Sequence, residues 1–539
     1  MKFLKTLFLS LLITLSILSF QMIYSQDEDV LSDEDIEGLF DDFNTDQSAD
    51  TNTNGNNVTS DIGFELSLLG EHTFEFHLPV TGDEFNFDSY LKSPKFRNDL
   101  GVEIYFKNLK VISHWELDIV ANKWGEWEKF AEFLPLENYI SWSPWKFKLS
   151  AGFQNFTWGV ADKINPTDNI NPRDYRVGIE SKKIPVLSLL LAFYPVDFLS
   201  IEAVYVPFEQ DDKFPVDFAE KLEDKTDCSD VDTENIDFDP KSFILGGKVN
   251  FHVRNFDFSF SYLYDLDKYY TPVIEVEKVS LPLSDYDFYK LDSIDLVRKR
   301  EHKFGADFKT TVSRFGLWLE FCYSMTEDYL MNNYHLRNHR ISWVAGFDFN
   351  YGPNDKFYFN MQYMGELIPF YDNSFYKDYS KSDLGPFKAA IGKDDVPFDT
   401  GKDEDYYEEY YYRAVLYGLG SSYEGFLQGI TFNMEWPVLN DVLTPSIVVG
   451  YYLPLIYDYD REAKYGSLYI NPELDISPID SFHILFGADL FYAWHRVEDE
   501  DESGEYIFDI NRDDKIGSYF DDSNIYLEIV YKWGFDFRK

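Results

Sequence analysis

From Ile62 onward, large apolar side chains recur at every second position. Phe64, Leu66, Leu68, Phe74, Phe76 and Leu78 hold even numbers, while Glu65, Ser67, Glu71, Thr73, Glu75 and His77 hold odd ones. Because successive side chains of an extended chain point to opposite faces, this spacing predicts one long strand with an apolar and a polar face. The pattern returns at Val102-Ile104-Phe106, at Phe256-Phe258-Phe260-Tyr262 and at Phe315-Leu317-Leu319-Phe321-Tyr323. In the last of these, Trp318, Glu320, Cys322 and Ser324 must share the opposite face, and likewise Glu103 and Lys107 oppose Val102, Ile104 and Phe106. No comparable run repeats at the helical period.

The connections carry a second pattern. Very short ones fall at Asn108-Leu109, Ser143-Pro144, Pro195 to Asp197, Arg254-Asn255, Ser313, Tyr351 to Asp355, Pro437 to Asp441 and Ser477 to Ile479. Between the hairpins lie long polar stretches: Thr81 to Asn98, Thr157 to Lys183, Gln210 to Lys241, Asp267 to His302, Pro369 to Gly425 and Val497 to Asp522. Strict alternation of short and long connections is the plan of an all-β, transmembrane antiparallel β-barrel with short periplasmic turns and long extracellular loops. One leading strand, the hairpins and a closing strand predict about 18 strands, or about 16 if Pro135 removes the strand at Glu132 to Trp142.

The last residues fit that plan. Ile525, Leu527, Ile529, Tyr531, Trp533, Phe535 and Phe537 alternate with Tyr526, Glu528, Val530, Lys532, Gly534 and Asp536. This resembles the closing strand that bacterial barrel-assembly machinery recognises, with Tyr531, Trp533, Phe535 and Phe537 as its membrane-facing side chains. The family pattern ends on an aromatic residue, whereas Arg538 and Lys539 follow Phe537 here.

Two segments precede the barrel region of residues 62–539. Residues 1–25 carry Lys2 and Lys5, an apolar stretch from Leu7 to Phe20 and the small residue Ser25, the expected layout of a cleaved signal peptide. Residues 26–61 are acidic and then Asn/Thr/Asp-rich, the composition of a flexible tail, in which Ser32, Asp35, Ile36, Leu39, Phe40 and Phe43 are spaced for one short amphipathic helix. After the leader, no stretch of about 18 apolar residues suggests a membrane helix.

Composition changes the picture in one respect. A net charge of -48 and negative mean hydropathy of -0.34 alone would describe a soluble acidic protein, yet 50 Phe, 40 Tyr and 11 Trp alternate with the polar residues. The averages therefore hide two surfaces, one for lipid and one for water. So acidic a chain repels nucleic acid, which is excluded as a partner. Only Cys228 and Cys322 follow the leader, too few for a disulfide framework.

The most distinctive local stretch runs Gly152-Phe153-Gln154-Asn155-Phe156-Thr157-Trp158-Gly159-Val160-Ala161-Asp162-Lys163-Ile164-Asn165-Pro166-Thr167-Asp168-Asn169-Ile170-Asn171-Pro172-Arg173-Asp174-Tyr175. It resembles a G-x-Q-x-x-x-W-G-x-A-D-x-x-N-P-x-D-x-x-N-P-x-D stretch of Gram-negative outer-membrane barrels akin to the alginate-export porins. The resemblance covers one loop and its flanking strands. It implies an outer-membrane location and a porin-like channel, and it admits a homo-oligomer. In the residues themselves, Asn-Pro pairs interrupt strand pairing and the aspartates accept backbone amides, so the loop should be ordered. The loop follows the fifth expected strand. If it turns inward, Asp162, Lys163, Asp168, Arg173, Asp174 and Arg176 would form a pore constriction of mixed charge.

Other chemistries find little support. Asp509 to Asp513 begins like a calcium loop, but Asp514 replaces its glycine and Phe520 its bidentate acid. His335 and His339 lie in an Asn- and Tyr-rich stretch unlike a metal-binding helix. No metal site or cofactor is expected, and no nucleophile elbow, P-loop or zincin motif points to an enzyme. The expected function is passive passage of a small polar or saccharide-like solute through a lipid-embedded barrel. The alternative is a non-conducting surface barrel acting as an adhesin or binding platform through its long loops.

Overall fold

A computed structural model describes residues 64–538 apart from 82–92, 121–130, 163, 180, 215–221, 223–227, 229, 234–238, 269, 281–286, 332–335, 337, 353–354, 370–407, 409–410, 413–425, 455–465, 499–505 and 511–515. The expected leader (1–25) and expected tail (26–61), Lys163, His335 and nearly all of the expected loop at 366–425 therefore lie outside the described residues.

The main sheet has nineteen strands, of which one short piece, Tyr506–Ile510, pairs only with its predecessor. The other eighteen close a ring. In chain order they are β1 (Phe64–Pro79), β2 (Lys95–Phe106), β3 (Leu109–Val120), β4 (Ala131–Trp142), β5 (Phe147–Gln154), β6 (Val186–Val196), β7 (Leu199–Val206), β8 (Ile244–Val253) and β9 (Phe256–Leu266). They continue as β10 (Arg300–Val312), β11 (Phe315–Thr326), β12 (Arg340–Tyr351), β13 (Phe357–Leu367), β14 (Phe426–Glu435), β15 (Leu443–Pro454), β16 (Gly466–Ile479), β17 (Phe482–Glu498) and β18 (Asn524–Arg538). Each strand pairs antiparallel with the next. The last returns to the first, with Glu65 opposite Arg538 at one end and Pro79 opposite Asn524 at the other. Closure leaves no ladder edge, which is the condition for strands to cross hydrocarbon.

The alternation read from the sequence is the alternation of inside and outside. On β11, Leu319 is 50% exposed while its neighbour Glu320 is fully buried. Phe315, Leu317 and Phe321 are exposed with Leu319, and Trp318 and Cys322 are buried with Glu320. On β1 the exposed Phe64, Phe74 and Leu78 alternate with buried Ser67, Thr73, Glu75 and His77. An apolar outer face and a polar inner one invert the usual soluble arrangement and define a membrane-spanning barrel of the outer-membrane type.

Pro135 does not remove β4. It sits opposite Trp115 at a shift in the β3–β4 register, where β4 sets two residues, Leu136 and Glu137, against the single His114 of β3. A bulge is one of the few places where a strand tolerates a missing N–H donor. The higher of the two strand counts is thus correct.

The expected loop over 267–302 requires correction. Thr271–Ser280 and Asp287–Val297 form an antiparallel hairpin outside the ring, and Val231–Thr233 adds a parallel strand to it. Ile274, Ile294 and Leu296 are buried on alternate positions of this small sheet, with Val231. Acids and lysines between the apolar residues obscured the period. All eight short turns lie on one rim with the ends of β1 and β18, and this outer sheet lies among the longer connections on the other.

Placing a charge on the outer face tests the assignment of sides. Leu319→Arg should destabilise the barrel by ~2–4 kcal/mol near mid-bilayer, measured by denaturant unfolding in lipid. Equal stability of the variant and the parent would reverse the parity.

Candidate functional site: the loop inside the barrel

Residues 155–185 connect β5 to β6 and fold against the inner wall. Asn171 closes the neck of this loop: its Nδ2 donates to the carbonyls of Gln154 (3.0 Å) and Ile184 (2.9 Å), and its Oδ1 accepts the Phe156 amide at 2.7 Å. One side chain thus binds both ends of the excursion. Beyond the neck, Phe156, Trp158 and Ile170 join inward-facing Val186, Leu190, Val204, Val206, Ile244 and Leu263 in a buried apolar cluster. Trp158 needs Gly246 beneath it, because a Cβ there would come within 2.7 Å of its ring. The apolar patch that these residues make on the inner face of β6 to β9 is thereby covered by the loop.

The loop then reaches the far wall. Glu320 on β11 accepts the amides of Val160 and Ala161, the latter at 2.5 Å, and the Thr167 hydroxyl at 3.1 Å. On β13, Gln362 Oε1 accepts the Asp162 amide at 3.0 Å and Asn360 Nδ2 donates to Asp162 Oδ2 at 2.9 Å. Ala161 packs with Trp318, Val344 and Met364, with Val160 and Ile164 alongside. Other parts of the loop touch further strands: Lys182 pairs with Glu116 on β3, and Arg176 with Glu132 on β4 at 3.5 Å. The segment therefore spans the lumen from the fifth strand to the eleventh and thirteenth.

The sequence-predicted charges fall into three groups. Asp168 is buried and takes Arg173 and Lys183, each at 2.8 Å. Asp174 and Arg176 form a two-point pair at 2.7 and 3.0 Å, and Asp174 also caps the short 3-10 turn Tyr175–Val177. This pairing raises the Arg176 pKa above its already high ordinary value. Asp162 stands apart on the far wall. Their charges are largely matched within the loop, so the balance along the passage depends on the remaining wall. Sequence reasoning placed Glu320 on the inner face but missed its bond to the loop, together with the parts played by Gln362, Asn360, Lys182 and Lys183. The only signal available was the parity of the polar residues on apolar strands.

Carboxylates dominate the arc formed by β16 to β18 and β1 to β3. Its inward positions include Glu71, Glu75, Asp99, Glu103, Glu116, Asp118, Glu473, Asp475, Asp489 and Glu528, against the cations Lys95, Arg97, Lys110 and Lys532, with Lys182 of the loop on Glu116. Lys95 and Arg97 lie 3.0 and 3.2 Å from Glu75, and Lys532 is 3.7 Å from Glu71.

A separate buried ion-pair network fixes the outer connections. Arg298 meets Glu209 at 2.6 Å and Asp211 at 2.8 Å, and Lys268 meets Glu209 at 2.5 Å. Lys303 joins Asp265 and Glu301, and Arg340 joins Asp267 and Glu301, at 3.0–3.1 Å. Burial and the nearby Asp265 push the Glu209 carboxyl up to about 7 against the pull of Lys268 and Arg298. Both ring nitrogens of His339 have partners: Nδ1 lies 2.7 Å from the Tyr323 hydroxyl and Nε2 3.1 Å from the Asp328 carbonyl.

With this geometry in hand, the class is that of an outer-membrane β-barrel with an inward-folded loop. No family model matches the chain, and no curated protein matches it. Among solved structures it is similar to OccAB4 of Acinetobacter baumannii, at 8% identity and a TM-score of 0.45 over 88% of this chain and 98% of that one. OccK3 (OpdO) of Pseudomonas aeruginosa is similar at 9% identity and 0.44, over 88% and 96%. OpdK of the same organism, solved with vanillate, gives 8% identity and 0.42, over 88% and 99%.

Removing Arg298 tests the outer network. Arg298→Ala would take from the buried Glu209 one of its two cations and should cost ~1–3 kcal/mol locally. The expected readout is faster protease nicking in the 207–243 connection while the barrel stays heat-modifiable on gels; unchanged nicking would show that the network carries no such weight.

Proposed function

We propose that the protein is an outer-membrane channel for passive passage of small polar or saccharide-like solutes. The observation that carries this reading is the attachment of residues 155–185 to walls on both sides of the lumen; the proposed route runs past this loop. Asp162, Lys163, Asp168, Arg173, Asp174 and Arg176 are the proposed constriction. The loop's salt bridges hold it to one shape, and filtering by size and charge then needs no cofactor. Lipid covers the apolar exterior, and β18, with Tyr531, Trp533, Phe535 and Phe537, is the proposed signal to the barrel-assembly machinery.

The carboxylate-rich arc supports cation preference, because fixed charges in a confined passage raise the local concentration of the opposite ion. In planar bilayers under a potassium chloride gradient, the reversal potential should have the sign of cation selectivity. Combining Glu71→Gln, Glu473→Gln and Glu528→Gln should move it toward zero, and neutral oligosaccharides should lower the current. A folded, heat-modifiable barrel that stays silent at every salt concentration would sink the channel reading.

A further inference from the structure

The geometry points to Glu320, seconded by Gln362 and Asn360, as a clasp that holds the lumenal loop across the pore. Glu320 is thus a positioning residue for the proposed filter, and the inference rests on the channel reading for its consequence though not for its geometry.

Glu320 is fully buried on β11, yet no lysine or arginine among the described residues pairs with it. A carboxylate in that position must be met by donors, and those among the described residues come from the loop. Oε1 receives two consecutive backbone amides, of Val160 and Ala161, and Oε2 receives the Thr167 hydroxyl. Consecutive amides converging on one anion make a concave seat of the kind that binds phosphate or carboxylate. Here the anion belongs to the wall and the seat to the loop. Such charge-assisted bonds are stronger than neutral ones, and separation would leave an unmatched buried carboxylate.

The neighbouring contacts set the direction in which the loop is held. Trp318, two residues before Glu320, lies over Gly346, where a Cβ would come within 2.5 Å of its ring. Its Nε1 donates to Gln362 Oε1 at 3.1 Å, and the same oxygen takes the Asp162 amide. The indole therefore presents Gln362 to the loop, while Asn360 fixes the Asp162 side chain. Residues 160–162 are held by three side chains on two strands, across the lumen from the Asn171 neck. Between neck and clasp the loop is secured at both ends, so loss of the clasp frees its far end.

The test places a reporter inside the clasp. In Ala161→Cys, a water-soluble maleimide should react slowly, because position 161 is covered by Trp318, Val344 and Met364. Mass spectrometry localises the label and separates it from the buried Cys228 and Cys322. Adding Glu320→Ala should raise the labelling rate roughly tenfold or more. Glu320→Gln keeps one acceptor oxygen and should fall between, and Gln362→Ala should loosen the loop by a smaller factor. Single-channel conductance should rise and become noisier in the same order, with heat-modifiable migration unchanged. Should Glu320→Ala fail to assemble, Gln362→Ala and Asn360→Ala, which leave the buried carboxylate in place, decide the matter. Folded variants that label and conduct as the parent does would overturn the clasp. A silent parent barrel would instead remove the channel reading, and the labelling rates would still decide whether the clasp exists.

Discussion

The structure depends on one constraint: a backbone amide facing hydrocarbon must find its partner within the protein. Every strand of the ring satisfies it by pairing on both sides, and β18 completes the circuit along nearly the whole of β1. Once the ring closes, the interior is the only place where polar side chains can gather without meeting lipid. The buried Glu75 and Glu116 with their cations, and the buried Glu320 with its loop donors, follow from that inversion. On the outside, residues such as Leu319 and Phe260 can stay exposed at no cost because their solvent is apolar.

Closure also explains an oddity at the seam. His72 is a polar residue on the lipid side of β1, and it lies 3.1 Å from the Trp533 Nε1 donor and stacks parallel to Tyr531. Aromatic residues of the closing strand thus supply both the apolar cover and the hydrogen bond that a lone imidazole in lipid would lack. The same ring that grips the bilayer shields a polar atom from it.

The fold was legible in the sequence because the strand period is two and nothing else competes with it over hundreds of residues. Phe315 to Tyr323 announced its two faces without any tertiary information, and the short turns supplied the strand count. What could not be read was partnership. Nothing local to Glu320 distinguishes a carboxylate that meets water from one that meets two amides contributed 159 and 160 residues earlier. The hairpin at 271–297 was missed because acids and lysines interrupt its apolar positions and hide their period. For the loop itself, Asn-Pro pairs and aspartates predicted order, while its direction was set by apolar residues such as Trp158 and Ile170 meeting an apolar patch on the inner wall.

The loop's attachments carry a further consequence for biogenesis. Its seat on β13 lies 200 residues downstream of Asp162, and the Tyr519 hydroxyl that bonds the Tyr175 carbonyl lies 344 residues downstream. A growing or inserting chain cannot furnish those partners until most of the wall exists. Long sequence separation makes such contacts slow to form. The Asn171 neck, by contrast, joins residues within seventeen positions and is complete as soon as β6 follows β5. The bonds that hold the interior thus fall into two classes, a knot of local ones whose partners come with the early strands and a docking whose partners lie from β11 onward, the farthest of them near the chain's end.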